Sequence, residues 1–507
     1  MNSPAHDESS LLGRRVFLAA ALLVFMVGAA MRLYDLGARS LRVDEAWVAC
    51  KVIQTDLADV IFDQGEFHYT YPTGFGVLVH LFYRAFGRGE AALRLFPSLS
   101  SIAAIVLFFY LARRLMGRAG ALISMSTFAF SYWGVIYGRD LKQYSSDILL
   151  TIAATLVADR LVEKRDAARW LAFAACAVLG VWFSQTLVFV LPGLFLAILL
   201  VMRREKSWRG FAALCGSGLL TAASFGASYW FFIRKAASNV LLESWDDFFA
   251  DTSGLLPLLK WTIGRLWSYI VYFFFPQPFF LVAAILALLG LIFLARRNRV
   301  NLLYLLSPFV MVYIASLLHR YAFGGERVSL FLLPLVILMV SGGMEWLRSL
   351  VSQKRRWVAN AGLALLTVGY AYPAFDVSFV HPVRVEEARP VVGKIQQLLA
   401  PEDTIYVYNH GRFAFDYYYQ GPRAPVYYGH DGRENPQVYY NEIDKLTSNG
   451  GRFWFFLSHY LQGRNNDFRL IYEHVTARCA IRNGIQQENA VAFLAICPPP
   501  NAGASGQ

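Results

Sequence analysis

Two adjacent carboxylates stand out near the N-terminus of this 507-residue sequence. The segment Arg42-Val43-Asp44-Glu45-Ala46 places them directly after an arginine and a valine, and Trp47 follows. A carboxylate held in a partly dry cleft can accept a proton from an attacking hydroxyl group, as a general base does. The alternative interpretation is an ordinary solvated helix start, where acidic residues interact favourably with the helix dipole.

Two later segments concentrate cationic groups in a few residues. Residues 137–147 (YGRDLKQYSSD) contain Arg139, Asp140 and Lys142, and residues 319–327 (HRYAFGGER) contain two further arginines. Arg139 and Lys142 could bind a phosphate group, with Asp140 orienting them. The two glycines of the later segment would permit a close backbone approach. An ordinary connecting turn, with snorkelling side chains at a membrane surface, is the alternative for either segment.

Composition determines which elements must position these groups. Hydrophobic residues make up 56% of the chain and charged residues only 16%, and mean hydropathy is +0.41; soluble domains have about 25% charged residues. The five cysteines form neither a disulfide framework nor a CxxC zinc pair. The net charge of +12 would suit a nucleic-acid partner, but so apolar a composition excludes a soluble basic domain. A polytopic α-helical membrane protein remains.

Eleven apolar stretches are long enough to predict transmembrane helices, each needing about 20 residues. They start near Val16, Leu95, Ala119, Ser146, Trp170, Leu187, Gly210, Pro276, Val300, Val328 and Trp357. The stretch Gly74 to Phe86 is shorter and carries His80 and Arg84, which predicts an interfacial helix. With a cytoplasmic N-terminus, this count makes every inner loop basic, as the positive-inside rule requires.

This orientation places three large regions on the outer side: residues 32–94, residues 234–275 and everything from about residue 376. The first span is predicted to be an uncleaved signal anchor. All three charged segments would lie at the outer membrane surface, whereas the span interiors are nearly free of ionisable residues. An ion-coupled transporter usually needs such residues near mid-membrane.

The C-terminal part changes character, which predicts two domains: residues 1–375 in the membrane and residues 376–507 as a periplasmic α/β domain. Predicted strands cover Thr404–Asn409, Pro425–Gly429, Arg452–His459 and Val491–Cys497, and predicted helices cover Val391–Ala400, Glu434–Ser448 and Asn465–Tyr472. Cys479 and Cys497 flank a predicted hairpin near Gln487. Whether they form a disulfide stays open at this stage.

From Val16 to Met344, the order and spacing of the motifs resemble those of bacterial membrane glycosyltransferases of the GT-C superfamily. The resemblance is to the broad protein-mannosyltransferase-like group, family 39 and its RgtA/B/C/D-like relatives. The matching residues are Asp44-Glu45-Ala46, then Phe86-Gly87 with Glu90 and Arg94, then Tyr137 with Asp140, Lys142 and Tyr144, and finally Arg320-Tyr321. There are two departures: His68 lies in HYTYP where relatives have HPPL, and Asp140 replaces a common Glu.

The resemblance implies an inverting enzyme at the outer face of the bacterial inner membrane, either a hexosyl- or a pentosyltransferase. It would transfer a sugar from a polyprenyl-monophosphate donor to an acceptor hydroxyl of lipid A, lipopolysaccharide core, another envelope glycan or a protein. Asp44 would be the general base, with Glu45 supporting it. The residues implied to bind the donor phosphate are Arg139, Lys142, Tyr144, Arg320 and Tyr321, and those implied to support the site are Arg42, His68, Glu90, Asp140 and Arg327.

Several alternatives remain open from the sequence. A divalent metal ion or no cofactor at all is equally compatible, because Glu66, His68, Glu90 and His319 lack diagnostic spacing. The competing functions are a lipid-carrier flippase or transporter, a glycan ligase or polymerase that uses a polyprenyl-diphosphate donor, and an envelope scaffold. The expected partners are the lipid bilayer, the lipid-linked sugar and its acceptor, with no nucleic acid.

Overall fold

The computed structural model describes residues 11–54, 56–62, 71–234, 245–460 and 466–499. These residues belong to two compact units. The helical unit comprises Met1–Leu36, Asp56–Ala85 and Arg94–Pro382, and the α/β unit comprises Gly37–Thr55, Phe86–Leu93 and Val383–Gln507. The α/β unit is therefore assembled from three separate stretches of chain. The division of the chain into two domains at residue 375 stays a prediction from the sequence.

Sixteen α-helices run from the N-terminus to residue 375 in the described part of the chain. They are α1 (Leu11–Leu33), α2 (Val43–Gln54), α3 (Leu57–Phe62), α4 (Thr73–Phe86), α5 (Glu90–Met116), α6 (Arg118–Ala129), α7 (Tyr132–Ile136), α8 (Tyr144–Glu163), α9 (Ala167–Gly180), α10 (Leu187–Glu205), α11 (Trp208–Ser228), α12 (Leu255–Phe274), α13 (Phe280–Arg297), α14 (Val300–Leu317), α15 (Leu333–Leu350) and α16 (Arg356–Phe375). All eleven predicted segments are helical, and the shorter segment at Gly74–Phe86 forms α4.

Eight helical segments of the described chain are long and apolar enough to cross a membrane. They are Gly13–Leu33, Glu90–Met116, Leu187–Glu205, Trp208–Ile233, Phe280–Arg297, Val300–Leu317, Arg327–Leu350 and Gln353–Val380. A ninth span results if Arg118–Ala129 and Tyr132–Arg139, which are bent by 64°, are counted as one. The chain is a multi-pass membrane protein, as predicted.

Two of the eleven predicted spans, α8 and α9, do not meet these criteria of length and composition. Helix α9 has 14 residues, which at about 1.5 Å per residue is roughly 21 Å, short of a hydrocarbon core of about 30 Å. Helix α8 has 20 residues but starts with polar groups, including Ser145, Ser146 and Asp147. Length and composition therefore support eight of the eleven predicted spans, or nine if the bent segment that starts with α6 is counted as one span.

The centre of the helical unit is α15, which is buried along most of its length. Helix α13 packs against it through glycines on both helices. A Cβ atom at Gly290 would lie 1.6 Å from the carbonyl oxygen of Met339, and one at Gly343 would lie 2.1 Å from that of Leu286. Small residues let transmembrane helices approach closely where lipid offers no hydrophobic driving force.

A fully buried arginine stabilises the C-terminal end of α1 and the break between α6 and α7. Arg32 is 0% exposed, and its Nε donates to Ser101 Oγ at 2.7 Å. Its guanidinium also donates to the carbonyl oxygens of Gly28 at 2.9 Å, Ala129 at 2.8 Å and Gly134 at 3.4 Å. Helix ends leave such carbonyl groups without helical partners, so Arg32 satisfies them where the chain turns toward residue 137.

The α/β unit contains a five-stranded sheet in the order β2-β1-β3-β5-β4. Its strands are β1 (Asp403–Val407), β2 (Val426–Tyr428), β3 (Gly451–Ser458), β4 (Ala480–Gln487) and β5 (Ala490–Cys497), and its C-terminal helices are α17 (Ala388–Leu398), α18 (Arg412–Tyr418), α19 (Gln437–Thr447) and α20 (Asp467–Thr476). Strand β1 pairs in parallel with β2 and β3, whereas β5 pairs antiparallel with β3 and β4.

All four predicted strands and all three predicted helices of the C-terminal region are present, with shifts of a few residues. Helix α18 was not predicted, and strand β4 was indicated only as the first arm of the predicted hairpin near Gln487. The sequence of β4, AIRNGIQQ, lacks apolar alternation because β4 is an edge strand with mostly exposed side chains. Cys479 and Cys497, left open above, form a disulfide that joins the ends of the β4–β5 hairpin.

Candidate active site

The acidic pair lies at the start of helix α2, in the α/β unit. Asp44 and Glu45 both belong to its first turn. Asp44 is 8% exposed and Glu45 is 0% exposed. The two acids therefore lie at a helix start, as the alternative interpretation required. They are buried there, however, whereas that interpretation required a solvated helix start.

Glu45 is fixed by arginines on both sides of its carboxylate. Arg39 forms a bidentate pair with it, at 2.7 Å from NH1 to Oε2 and 3.2 Å from NH2 to Oε1. The backbone N–H of Arg42 donates to Oε2 at 3.2 Å, and Arg42 Nε lies 4.0 Å from the same oxygen. A Glu three residues into a helix that bonds back to the preceding N–H is half of a capping box. Glu45 thus holds the helix start in place.

Glu90 belongs to the same unit and pairs with a residue far away in the sequence. Its Oε1 accepts from Arg389 NH1 at 2.8 Å and from the hydroxyl of Tyr418 at 3.1 Å. Glu90 therefore pairs with the guanidinium group of Arg389. Within the described ranges, no group of three or more His, Cys, Asp or Glu side chains is arranged to hold a metal ion. Glu66 and His68 lie outside the described residues.

Helix α2 also carries a cysteine, which sequence reasoning left aside. Cys50 is buried, and its thiol donates to the carbonyl oxygen of Phe413 at 3.3 Å. Burial, reinforced by the charge of Asp416, raises the pKa of the Cys50 thiol to about 12. A thiol that stays protonated at neutral pH is not a nucleophile.

In the helical unit, residues 137–147 form a 3₁₀ turn, Tyr137–Arg139, followed by the start of α8. Lys142 is 5% exposed and Asp140 is 1% exposed, and the Lys142 backbone N–H donates to the Asp140 carbonyl oxygen at 2.8 Å. Arg139 NH2 donates to the Tyr34 carbonyl oxygen at 2.8 Å. A buried lysine is costly unless it meets polar partners, so this segment is not a plain solvated turn.

Aromatic rings and a further carboxylate belong to the same segment of chain. The ring of Tyr144 meets that of Tyr137 edge-on at 5.2 Å. Asp147, one turn along α8, is 5% exposed and lies beside the hydroxyls of Ser184 and Thr186. Sequence reasoning did not single out Asp147, because an acid near the start of a helix is a common pattern.

The segment 319–327 connects α14 to the 3₁₀ helix Arg327–Leu332, which leads into α15. Arg320 is exposed, whereas the Tyr321 ring packs at 4.7 Å from that of Phe189. The Tyr321 hydroxyl donates to the carbonyl oxygen of Val328 at 2.8 Å. A Cβ atom at Gly325 would lie 2.2 Å from the Ser268 carbonyl oxygen, which confirms the predicted close backbone approach.

The sequence-predicted residues therefore fall into two groups. Those in the α/β unit are Arg42, Asp44, Glu45 and Glu90, and those in the helical unit are Arg139, Asp140, Lys142, Tyr144, Arg320, Tyr321 and Arg327. His68 lies outside the described residues. The structure adds Arg39, Arg389 and Tyr418 as partners of the acids, none of which belongs to a motif recognised from the sequence.

Comparison with known proteins finds a family model that matches part of the chain and solved structures that share its fold. Residues 71–230 match the family model described as dolichyl-phosphate-mannose-protein mannosyltransferase. The chain is also similar in structure to ArnT from Cupriavidus metallidurans bound to undecaprenyl phosphate, with a TM-score of 0.58 and 14% identity over 96% of this chain and 98% of that chain. The family match covers less than half of the chain, and the similarity to the solved structure shows a shared fold.

Other solved structures share the same fold. ArnT from Cupriavidus metallidurans in the apo state gives a TM-score of 0.55 and 14% identity over 95% of this chain and 97% of that chain. The apo oligosaccharyltransferase from Archaeoglobus fulgidus gives 0.54 and 12% over 89% of this chain and 70% of that chain. No curated protein sequence matches this chain significantly. The predicted fold, helices in the membrane with a small C-terminal α/β domain, is confirmed.

Proposed function

We propose that this chain is an inverting glycosyltransferase that uses a polyprenyl-monophosphate sugar as donor and a hydroxyl group as acceptor. The observation that carries the proposal is the burial of two adjacent carboxylates, Asp44 and Glu45, in the first turn of helix α2. Arg39 and the Arg42 backbone hold Glu45 in place, and Asp44 is the neighbouring acid on the same helix turn. The structural similarity to an undecaprenyl-phosphate-bound protein supports the class of donor.

In the proposed reaction, Asp44 acts as the general base. Its carboxylate accepts the proton of the acceptor hydroxyl as the acceptor oxygen attacks C1 of the sugar. The bond from C1 to the phosphate oxygen breaks, and the polyprenyl phosphate leaves with the electron pair. Because attack and departure occur on opposite faces of C1, the anomeric configuration inverts. Glu45 orients the helix turn that carries Asp44.

The departing phosphate gains negative charge, which fixed cations stabilise most strongly where water is excluded. We assign this role to Lys142, Arg139 and Arg320, with the hydroxyl of Tyr144 as a further donor. The Tyr321 hydroxyl would join them only by giving up its hydrogen bond to the Val328 carbonyl oxygen. Lys142 is the most buried of the three cations, so its charge is the least screened by solvent. Supporting roles are proposed for Arg42, His68, Glu90, Asp140 and Arg327.

The proposed setting is the outer face of a bacterial inner membrane, with the N-terminus in the cytoplasm and the C-terminal domain in the periplasm. Residues 1–375 would form the membrane domain and residues 376–507 the periplasmic domain. The sugar would be a hexose or a pentose. The acceptor would be lipid A, lipopolysaccharide core, another envelope glycan or a protein.

The test is a transfer assay with purified full-length protein in lipid nanodiscs. The probe is a polyprenyl-monophosphate sugar labelled in the sugar, with extracted envelope glycolipid as acceptor. We expect label in the acceptor and one released polyprenyl phosphate per transfer. Movement of intact donor across proteoliposomes without cleavage would indicate a flippase, and strict dependence on a diphosphate donor would indicate a ligase. Mass analysis of envelope glycolipids from cells that lack the chain then identifies sugar and acceptor together.

A further inference from the structure

Four consecutive residues at the start of helix α17 contact the segment that leads into helix α2. This segment, Glu386-Glu387-Ala388-Arg389, is called the EEAR segment below. Glu386 is 3% exposed and Glu387 is 4% exposed. Two adjacent buried carboxylates cost free energy unless hydrogen bonds compensate them. Their partners therefore show what the arrangement stabilises.

Both carboxylates accept hydrogen bonds from residues at or just before the start of helix α2. Glu386 Oε2 accepts from the Val43 backbone N–H at 2.9 Å. Glu387 Oε2 accepts from the Ser40 hydroxyl at 3.0 Å, and Oε1 accepts from the Ser40 backbone N–H at 3.4 Å. These bonds connect positions about 345 residues apart within the same compact unit.

Arg389 adds hydrogen bonds to the beginning of the segment that leads into helix α2. Its backbone N–H donates to Ser40 Oγ at 3.2 Å, and its NH1 donates to the Gly37 carbonyl oxygen at 3.1 Å. Its NH2 donates to the Ala38 carbonyl oxygen. The segment from Gly37 to Val43 is thus bonded along its length, with directional polar contacts that specify its path.

The Glu386 bond replaces a helix cap that the local sequence lacks. Val43 is the first residue of α2, and its N–H is one of the four at a helix start that have no acceptor within the helix. A Ser, Thr, Asp or Asn at the preceding position usually caps such a helix start, but that position holds Arg42, whose side chain has no acceptor. Glu386 supplies the acceptor, and Asp44 is the next residue.

The EEAR segment is itself anchored to the sheet. His459 Nδ1 lies 2.7 Å from Glu386 Oε1, and the Glu387 backbone N–H donates to the Glu488 carbonyl oxygen at 2.9 Å. His459 directly follows strand β3, and its N–H donates to Asn489 in the β4–β5 turn at 3.1 Å. The position of α2 is therefore linked to the ends of three strands.

We infer that the EEAR segment positions Asp44 for catalysis, with Glu386 as the principal positioning residue. The inference rests on the proposed function of Asp44 and assigns the C-terminal domain a role in the reaction. Glu386 does not touch the reacting atoms; it sets where the first turn of α2 begins. A displacement of about 1 Å of a catalytic group can cost about a hundredfold in rate.

The experiment compares full-length Glu386→Ala, Glu386→Gln and Glu473→Ala in nanodiscs. Glu473 is an exposed acid of α20 in the same unit, paired with Arg469, and serves as the matched control. We expect Glu386→Ala to lower kcat about 10- to 100-fold with the donor KM within about twofold of wild type. Glu386→Gln keeps a carbonyl oxygen for the Val43 N–H and should recover most of kcat. Glu473→Ala should behave as wild type.

Hydrogen exchange separates positioning from unfolding. In Glu386→Ala, amides of residues 41–47 should exchange faster, while those of β5 stay as protected as in wild type. Unchanged kcat and exchange in Glu386→Ala would overturn the inference, as would a loss of β5 protection that accompanies the loss of kcat. If wild-type protein fails to transfer sugar, the proposed function is wrong, and exchange at residues 41–47 still decides whether Glu386 fixes the helix start.

Discussion

At the scale of single residues, two neighbouring carboxylates are buried at the start of one helix. Asp44 and Glu45 lie in the same helix turn, and Arg39 and the Arg42 backbone engage Glu45. The sequence was sufficient to select the pair and its cationic neighbour Arg42. The sequence could not identify Arg39 as the bidentate partner of Glu45. The two residues are six positions apart across a bend, and this separation follows no helical spacing.

Lys142 provides a test of the assignment to the donor phosphate. Lys142→Ala removes a buried cation, so we expect donor KM to rise about tenfold or more while acceptor KM changes less than about threefold, since a charge-assisted contact is worth roughly 1.5–3 kcal/mol. Steady-state kinetics with each substrate varied in turn measure both constants. The control is Lys260→Ala, which removes an exposed lysine of α12. Equal losses for donor and acceptor would contradict the phosphate role.

At the scale of elements, helix α2 shows how a distant part of the chain defines the start of a helix. Its first turn holds the acids, and its capping acceptor comes from Glu386 of the C-terminal region. Local patterns could predict the helix start, the apolar helices and four of the five strands. They could not predict a cap supplied from 343 positions away. Strand β4, whose side chains are mostly exposed, was indicated only through the predicted hairpin near Gln487.

The disulfide between Cys479 and Cys497 should stabilise the β4–β5 hairpin. It closes a loop with a sequence separation of 18, and restricting a loop of this size in the unfolded chain contributes about 3 kcal/mol. We therefore expect Cys479→Ser/Cys497→Ser to lower the free energy of local unfolding of β5 by about that amount, measured by native-state hydrogen exchange. Cys215→Ser, at an exposed free cysteine, should leave β5 unchanged. If the double variant also leaves the free energy of local unfolding of β5 unchanged, the disulfide contributes no stability and the prediction is wrong.

At the scale of the whole molecule, the net charge of +12 agrees with the proposed orientation. Residues 376–507 contain 12 basic and 13 acidic residues, so the excess lies in the helical part, where the predicted inner loops are basic. Composition was sufficient to predict a multi-pass protein of this fold class. The grouping of residues 37–55 and 86–93 with the C-terminal domain depends on long-range contacts that hydropathy does not encode.

Orientation can be measured directly with cysteines introduced on either side. Lys394 is exposed on α17, and Lys164 is exposed between α8 and α9. We expect a membrane-impermeant maleimide to label Lys394→Cys in intact spheroplasts, and Lys164→Cys only after lysis, each compared with the parent protein. Labelling of Lys164→Cys in intact spheroplasts, with Lys394→Cys protected, would reverse the proposed topology.

The most direct test of the central claim is Asp44→Asn, which keeps the size of the side chain but removes the proton acceptor. Asp35→Asn is the matched control, because Asp35 is an exposed acid nearby whose positive φ of 53° asparagine also tolerates. In the nanodisc transfer assay, we predict that Asp44→Asn loses at least about a thousandfold in kcat, within the range of general-base catalysis, with normal membrane insertion and donor binding. Asp35→Asn should stay fully active. Substantial sugar transfer by Asp44→Asn would contradict the assignment of Asp44 as the base.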